Sequence, residues 1–242
     1  MPTFFHSHSS KFTILNRKSI RALSLILTKN RLFMLSNLQL SRTIREEKVT
    51  IMDVPHKAVS NEAMLTEWKI IQQAQLDPTH FRPLYDKYYR SIFRFIYQRI
   101  GTQAPAADVC SQVFLKAMQK LNKYQFKGVP FSAWLYRIAS NEVAQHFRDN
   151  KKSRTVCVDD RQLNDIIDEV NEQPNEQLTR NLLTCLDNLK PLDLQLIELR
   201  FFEKRPFKEI ADILGITESN AKVKTYRILE RLKNKLIELP LR

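Results

Sequence analysis

In the stretch VPFSAWLYRIASNEVAQHFRDNKK (129–152), Trp134, Arg137, Asn141, Gln145 and Arg148 follow one another at spacings of 3, 4, 4 and 3. On a helix of 3.6 residues per turn, those steps bring all five to one face. An indole ring can stack on an unpaired base, an interaction worth about 1–3 kcal/mol. Guanidinium groups follow a phosphate backbone, and amides hydrogen-bond base edges. Just upstream, Tyr124, Phe126, Lys127 and Phe131 add three rings and a cation. Rings, cations and amides on one surface suit a single or melting nucleic-acid strand. The other side of the same helix carries Leu135, Ile138, Ala139, Val143 and Phe147, the stripe expected to hold it to a core.

A second constellation lies near the C-terminus, in FKEIADILGITESNAKVKTYRILERLKNKL (207–236). Gly215 supplies a turn between two helical patterns, Ile216 plugs the core and Thr217 caps the next helix. That is the grammar of a helix-turn-helix. In the final helix Ala221, Thr225, Ile228, Leu232 and Leu236 form the inner stripe. Ser219, Asn220, Lys222, Val223, Lys224, Tyr226 and Arg227 point elsewhere, where such motifs enter a major groove. Lys and Arg there can meet phosphates or guanine, and Asn can meet adenine.

The elements that position these groups read as helices throughout. Glycine is rare, at 3 residues in 242, alternating strand patterns are scarce, and hydrophobic residues make up 43%. The expected fold class is all-α, with two small helical domains joined by a linker. The expected helices cover NEAMLTEWKIIQQAQ, with Leu65, Trp68 and Ile71 or Gln72 inward, then THFRPLYDKYYRSIFRFIYQRI up to Gly101, then APAADVCSQVFLKAMQKLNKY. After the opening stretch, four more are expected at about 176–188, 191–203, 206–214 and 218–238.

Charge follows the same division. The net charge is +13. Residues 81–154 carry +10 and 177–242 carry +4, while 155–176 between them carry −6. A strongly basic chain points to nucleic acid, an anionic membrane surface or an acidic partner. The acidic stretch 155–175 reads as a linker. A short helix over Leu163–Val170 is conceivable there, but little in the sequence would hold it. Residues 1–61 read as a basic, poorly ordered extension, with translation starting at Met52 or Met64; their apolar run is too short and too charged to span a membrane. Cys110, Cys157 and Cys185 are too dispersed for a zinc site or disulfide framework, and no metal or cofactor is expected.

In this order FRPLYDKYYRSIFRFIYQRI, ADVCSQVFLKAMQKLNKY, FSAWLYRIASNEVAQHFR and FKEIADILGITESNAKVKTYRILERLKNKL resemble the sigma factors of the sigma-70 superfamily, of the short extracytoplasmic-function type. The resemblance covers about residues 62–238. It implies that 62–154 form region 2, which binds core RNA polymerase and the −10 promoter element, and that 176–242 form region 4, which binds the −35 element. Asp108 stands where the family has an acid contacting the polymerase β′ clamp helices; the following contact positions hold Ser111 and Gln112 in place of the usual glutamine and acid. Tyr124–Phe131 matches the loop that captures a flipped −10 base. Asn141 and Gln145 match polar positions of the −10-reading helix, and Trp134 its aromatic. Ser219, Asn220, Lys222, Val223, Tyr226 and Arg227 match positions that meet −35 DNA. Late in that helix the family often has two arginines; here Leu229 holds one place and Arg231 lies near the other. The resemblance further implies core polymerase (β′ and β subunits), promoter DNA and an anti-sigma factor as partners, in the cytoplasm.

Two other readings compete. A helix-turn-helix regulator acting without polymerase would account for the C-terminal part and leave the basic, aromatic block unexplained. An enzyme would need a catalytic constellation. His146 has no partner four residues on, Asp159 and Asp160 sit in the linker, and no phosphate loop or nucleophile elbow occurs.

Overall fold

The structure is a computed structural model that describes residues 59–150, 160–170 and 176–238, all within one unit of the chain, Ile51–Arg242. Every described element is helical, and no strand occurs among the described residues. The expected extension lies outside them apart from residues 59–61.

Helix α1 (Asn61–Leu76) opens on Ser60, whose hydroxyl accepts from the Ala63 amide, and ends before Pro78. A 3-10 turn, Pro78–Phe81, leads into α2 (Arg82–Ile100). Gly101 closes α2 in the left-handed conformation, φ 75°, its amide donating to the Tyr97 carbonyl. Next come α3 (Gln103–Lys120), a 3-10 turn (Leu121–Lys123) and α4 (Phe131–Asn150). Helix α3 packs between α2 and α4, so the three build one core around Ile92, Phe95, Ile96, Cys110, Val113, Ala117, Leu135 and Ala139.

The inward face of α1 differs from the expected one. Met64, Glu67, Ile71 and Ala74 are buried, whereas Leu65 is exposed and Trp68 half-buried. Glu67 tolerates burial because its carboxylate accepts from Lys87 Nζ at 2.7 Å and Tyr88 Oη at 2.6 Å. The buried phenol of Tyr88 is held well above its ordinary pKa, first by burial and then by that carboxylate.

The acidic stretch is the larger departure. Its described part forms a helix, α5 (Asp160–Glu169), and Leu163, Ile166, Ile167 and Val170 are at most 2% exposed. The four apolar residues lie on one face and pack against α6 (Glu176–Asp187) and a π-helical turn at Glu198–Phe202, while Asp165 pairs with Lys204 at 2.9 Å. Apolar burial of about 1.5–3 kcal/mol for each such side chain outweighs the poor helix prospects of the segment alone. So residues 160–170 are part of the core and not a solvated tether.

Helix α7 (Pro191–Ile197) runs into that π turn, then Lys204 takes a positive φ of 49° and Pro206 caps α8 (Phe207–Leu214). Helix α9 (Glu218–Glu238) completes the chain. Helices α6, α7, α8 and α9 pack together, and α8 also packs on α4.

Candidate nucleic-acid interface

The turn between α8 and α9 is built as expected. Gly215 has φ 69° and donates its amide to the Ala211 carbonyl, as does Ile216 at 3.0 Å. The Thr217 hydroxyl accepts from the Asn220 amide at 3.2 Å, and the Thr217 carbonyl from the Ala221 amide at 3.0 Å. Ala221, Thr225, Ile228, Leu232 and Leu236 are buried, and they fix the roll of α9. That roll leaves Ser219, Asn220, Lys222, Val223, Lys224, Tyr226 and Arg227 all exposed. Val223 and Tyr226 are 44% and 58% exposed, unusual for such residues without a partner surface. Lys222 lies 3.2 Å from Glu218 on its own helix, a surface pair that constrains it little. Arg231 is tied to Asp193 at 2.7 Å, and Leu229 is buried, so neither late position offers an unengaged cation.

The row on α4 divides. Asn141, Gln145 and Arg148 are exposed, with Gln145 donating to Asp149 at 2.6 Å and accepting from Arg148 at 2.6 Å. Trp134 is half-buried against Tyr124 and Phe131, with ring centroids 4.9 and 5.3 Å away. Arg137 does not face outward. Its guanidinium donates to the carbonyls of Asp212 and, at 3.3 Å, Ile213 at the C-terminal end of α8. Helix α4 therefore has a third face beyond the core stripe and the outward row. Ser132 and Tyr136, outside both stripes, are buried on it: Ser132 accepts from Arg205 at 3.3 Å, and Tyr136 donates to Glu203 at 2.9 Å.

The aromatics of the preceding loop are likewise divided. Phe131 is 1% exposed and Tyr124 8%, so both form the wall and not the surface. Burial, then the charges of Glu67 and Asp212, raises the Tyr124 phenol above its usual pKa. Phe126 is half-buried and Lys127 exposed. Two residues of α1 that the sequence reading did not single out for this site hold the loop. Gln75 Nε2 donates to the carbonyls of both Leu121 and Tyr124 at 2.9 Å. Trp68 lies nearly parallel to Phe126, centroids 6.1 Å apart and planes at 24°, and contacts Tyr124 at 6.0 Å. Their signal in the sequence was slight: a polar residue and a ring on the flank of α1, next to its core stripe.

On α3, Asp108 and Gln112 are exposed on the outer side and Ser111 is half-buried, its hydroxyl donating to the Ala107 carbonyl at 2.9 Å. Cys110 on the inner side is buried, which pushes its thiol up to about 12. Among the described residues no group of His, Cys, Asp and Glu is arranged to hold a metal, and no helix is long and apolar enough to cross a membrane.

A helix-turn-helix with an exposed basic and aromatic outer row, on a chain with a second basic helical module, defines a DNA-binding protein class. The comparisons narrow it. The model for Sigma-70 region 2 matches residues 84–153 and that for Sigma-70, region 4 matches residues 179–232. The chain is 30% identical over 183 residues to the ECF RNA polymerase sigma factor BldN of Streptomyces coelicolor, covering 72% of this chain and 67% of that one. It is 24% identical over 152 residues to the ECF RNA polymerase sigma factor SigM of Bacillus subtilis, covering 62% and 91%. A chain in a solved structure of CnrH in complex with the cytosolic domain of CnrY is 17% identical, with a TM-score of 0.48, covering 71% of this chain and 97% of that one. The chain belongs to the sigma-70 family, among its extracytoplasmic-function sigma factors, and directs transcription initiation with RNA polymerase.

Proposed function

We propose that this sigma factor reads its promoter with two surfaces of different kind. The outer row of α9, from Ser219 to Arg227, enters the major groove of the −35 duplex. Asn141 and Gln145 on α4, with Trp134 and the loop from Tyr124 to Phe131, take hold of the opened −10 strand. The observation that carries this reading is that every residue of the α9 row is exposed on a helix whose inner stripe is buried. Lys222, Lys224 and Arg227 supply phosphate neutralisation, so affinity falls with salt. Asn220 and Val223 supply base-edge contacts.

Opening the −10 element costs a few kcal/mol of unstacking, which a ring partly offsets. For that, the loop must be held still. Gln75 and Trp68 are proposed to do so, as positioning residues that hold Phe126 and Lys127 at the surface. Asp108, Ser111 and Gln112 on α3 are the proposed contact with the polymerase β′ subunit. Region 2 extends over 62–154 and region 4 over 176–242 in this reading. The chain works in the cytoplasm without chemistry of its own, and an anti-sigma protein is a proposed further partner.

Run-off transcription with core polymerase on genomic fragments tests the reading. Initiation at discrete sites that needs both the chain and the core is the expected result. Specific DNA binding without any initiation would favour a regulator that acts without polymerase.

A further inference from the structure

We infer that Asp193, in the first turn of α7, withholds Arg231 from DNA and so limits how strongly the chain grips the −35 duplex. The inference rests on the −35 reading of α9. Lys224, Arg227 and Arg231 follow at spacings of 3 and 4, so they share one edge of that helix. With Asp193, Ile228 and Glu230 they line a groove of about 330 Å³ between α7 and α9. The first two cations belong to the proposed DNA-facing row. Arg231 continues it by one turn and would reach the next stretch of a phosphate backbone.

The guanidinium is turned the other way. Its Nη2 donates to Asp193 Oδ2 at 2.7 Å, and its Nε donates back to the Arg227 carbonyl at 3.4 Å. A phosphate approaching Arg231 therefore meets an ion pair of no net charge, with a carboxylate on its α7 side. The groove as a whole sets three cations against two acids, so one net positive charge remains. Lys222 also has an acid beside it, Glu218, but both stand on α9, and the lysine yields by turning about its own flexible stem. Asp193 differs because it stands on another helix. Helices α7 and α9 pack together, with Leu194, Ile228 and Leu232 buried, so its short side chain stays where the packing puts it.

An acid in the first turn of α7 also suits the helix dipole, a role that needs no cation against it. The pairing adds little to stability, since its side chains are 54% and 22% exposed. Its effect is on binding. Each phosphate contact releases counterions and strengthens binding to any sequence, because phosphates carry no sequence information. Asp193 thus lowers the strength of the −35 contact by about one phosphate and leaves its sequence preference to Asn220 and Val223.

The test uses the full chain carrying Asp193→Asn, which keeps side-chain shape and removes the charge. Fluorescence anisotropy measures binding to a short duplex spanning the −35 element of a start site mapped by run-off transcription. A scrambled duplex of equal length is measured beside it, both over about 50–200 mM salt. The expected slope of log affinity against log salt is steeper by about 0.9, with roughly eight-fold tighter binding at about 0.1 M salt. Both duplexes should gain alike. Arg231→Gln alone should change affinity by less than about two-fold, and combined with Asp193→Asn it should remove the gain. Asp193→Ser, equally at home in a first helical turn, should repeat the result, and far-UV circular dichroism checks that each variant is helical. Unchanged or weaker duplex binding by the helical Asp193→Asn chain would overturn the inference. So would a gain that survives in full when Arg231 is Gln. If Arg227→Ala left duplex binding untouched, the −35 reading itself would fail; a duplex that Arg227→Ala weakens and Asp193→Asn does not strengthen would sink the role of Asp193 alone.

Discussion

Replacing Gln75 by Leu removes a single amide that donates to two loop carbonyls, those of Leu121 and Tyr124, both at 2.9 Å. Leu preserves most of the side-chain volume, so the change isolates the hydrogen bonds. Each is worth about 0.5–1.5 kcal/mol net. The site is only part-buried, so water reaches the abandoned carbonyls and the total falls at the lower end, about 1–2 kcal/mol, or roughly 5–30-fold in an equilibrium. That loss should appear where an ordered loop is needed. Permanganate reactivity of −10 thymines in the open complex should drop by about that factor. Binding to an isolated −35 duplex should not change, because Gln75 donates to the loop carbonyls and not to α9. Gln75→Glu, which sets a charged acceptor against two carbonyl oxygens, should be worse than Gln75→Leu. Strand opening equal to that of the unaltered chain in both variants would refute the idea that α1 positions the loop.

Two further outcomes follow. Ile166 in α5 is fully buried, so Ile166→Ala should destabilise the chain by about 2–5 kcal/mol in urea unfolding; a loss under about 0.5 kcal/mol, as at a surface site, would mean that α5 is a tether after all. Cys110 is raised from 9.0 to about 12 by burial, and Tyr89 from 10.0 to about 12 by burial and by Cys110. The folded chain holds these protons more tightly than the unfolded one, so their contribution is whole below pH 9.0 and is lost as pH rises toward 12. The urea midpoint should fall across that window; a flat midpoint would contradict the burial of both groups.

Much of the architecture was legible because helical spacing records which faces are buried. The inner stripe of α9, the Gly215 turn and the Thr217 cap lie where the sequence places them. What stayed hidden depended on contacts between elements far apart in the chain. Tyr136 lies off the core stripe of α4, and its burial rests on two distant contacts, the Phe95 ring with its centroid 4.9 Å away and Glu203 some 67 positions on. Leu163, Ile166, Ile167 and Val170 have a helical period, but seven acids in the surrounding stretch masked it. Glu67 is buried in α1 because Lys87 and Tyr88, some 20 positions on, stand against its carboxylate. On α4, spacing put Arg137 in the outward row, yet a long guanidinium can reach sideways to the carbonyls of a neighbouring helix.

The division of labour between the two surfaces is tested most directly with four variants, Lys222→Ala, Arg227→Ala, Trp134→Ala and Asn141→Ala, each assembled with core polymerase on one promoter. Duplex affinity and strand opening are measured side by side. The first two should weaken −35 binding and lower its salt dependence by about one ion each. The last two should impair opening while leaving −35 affinity as it was. Loss of duplex affinity alone in all four would contradict the account.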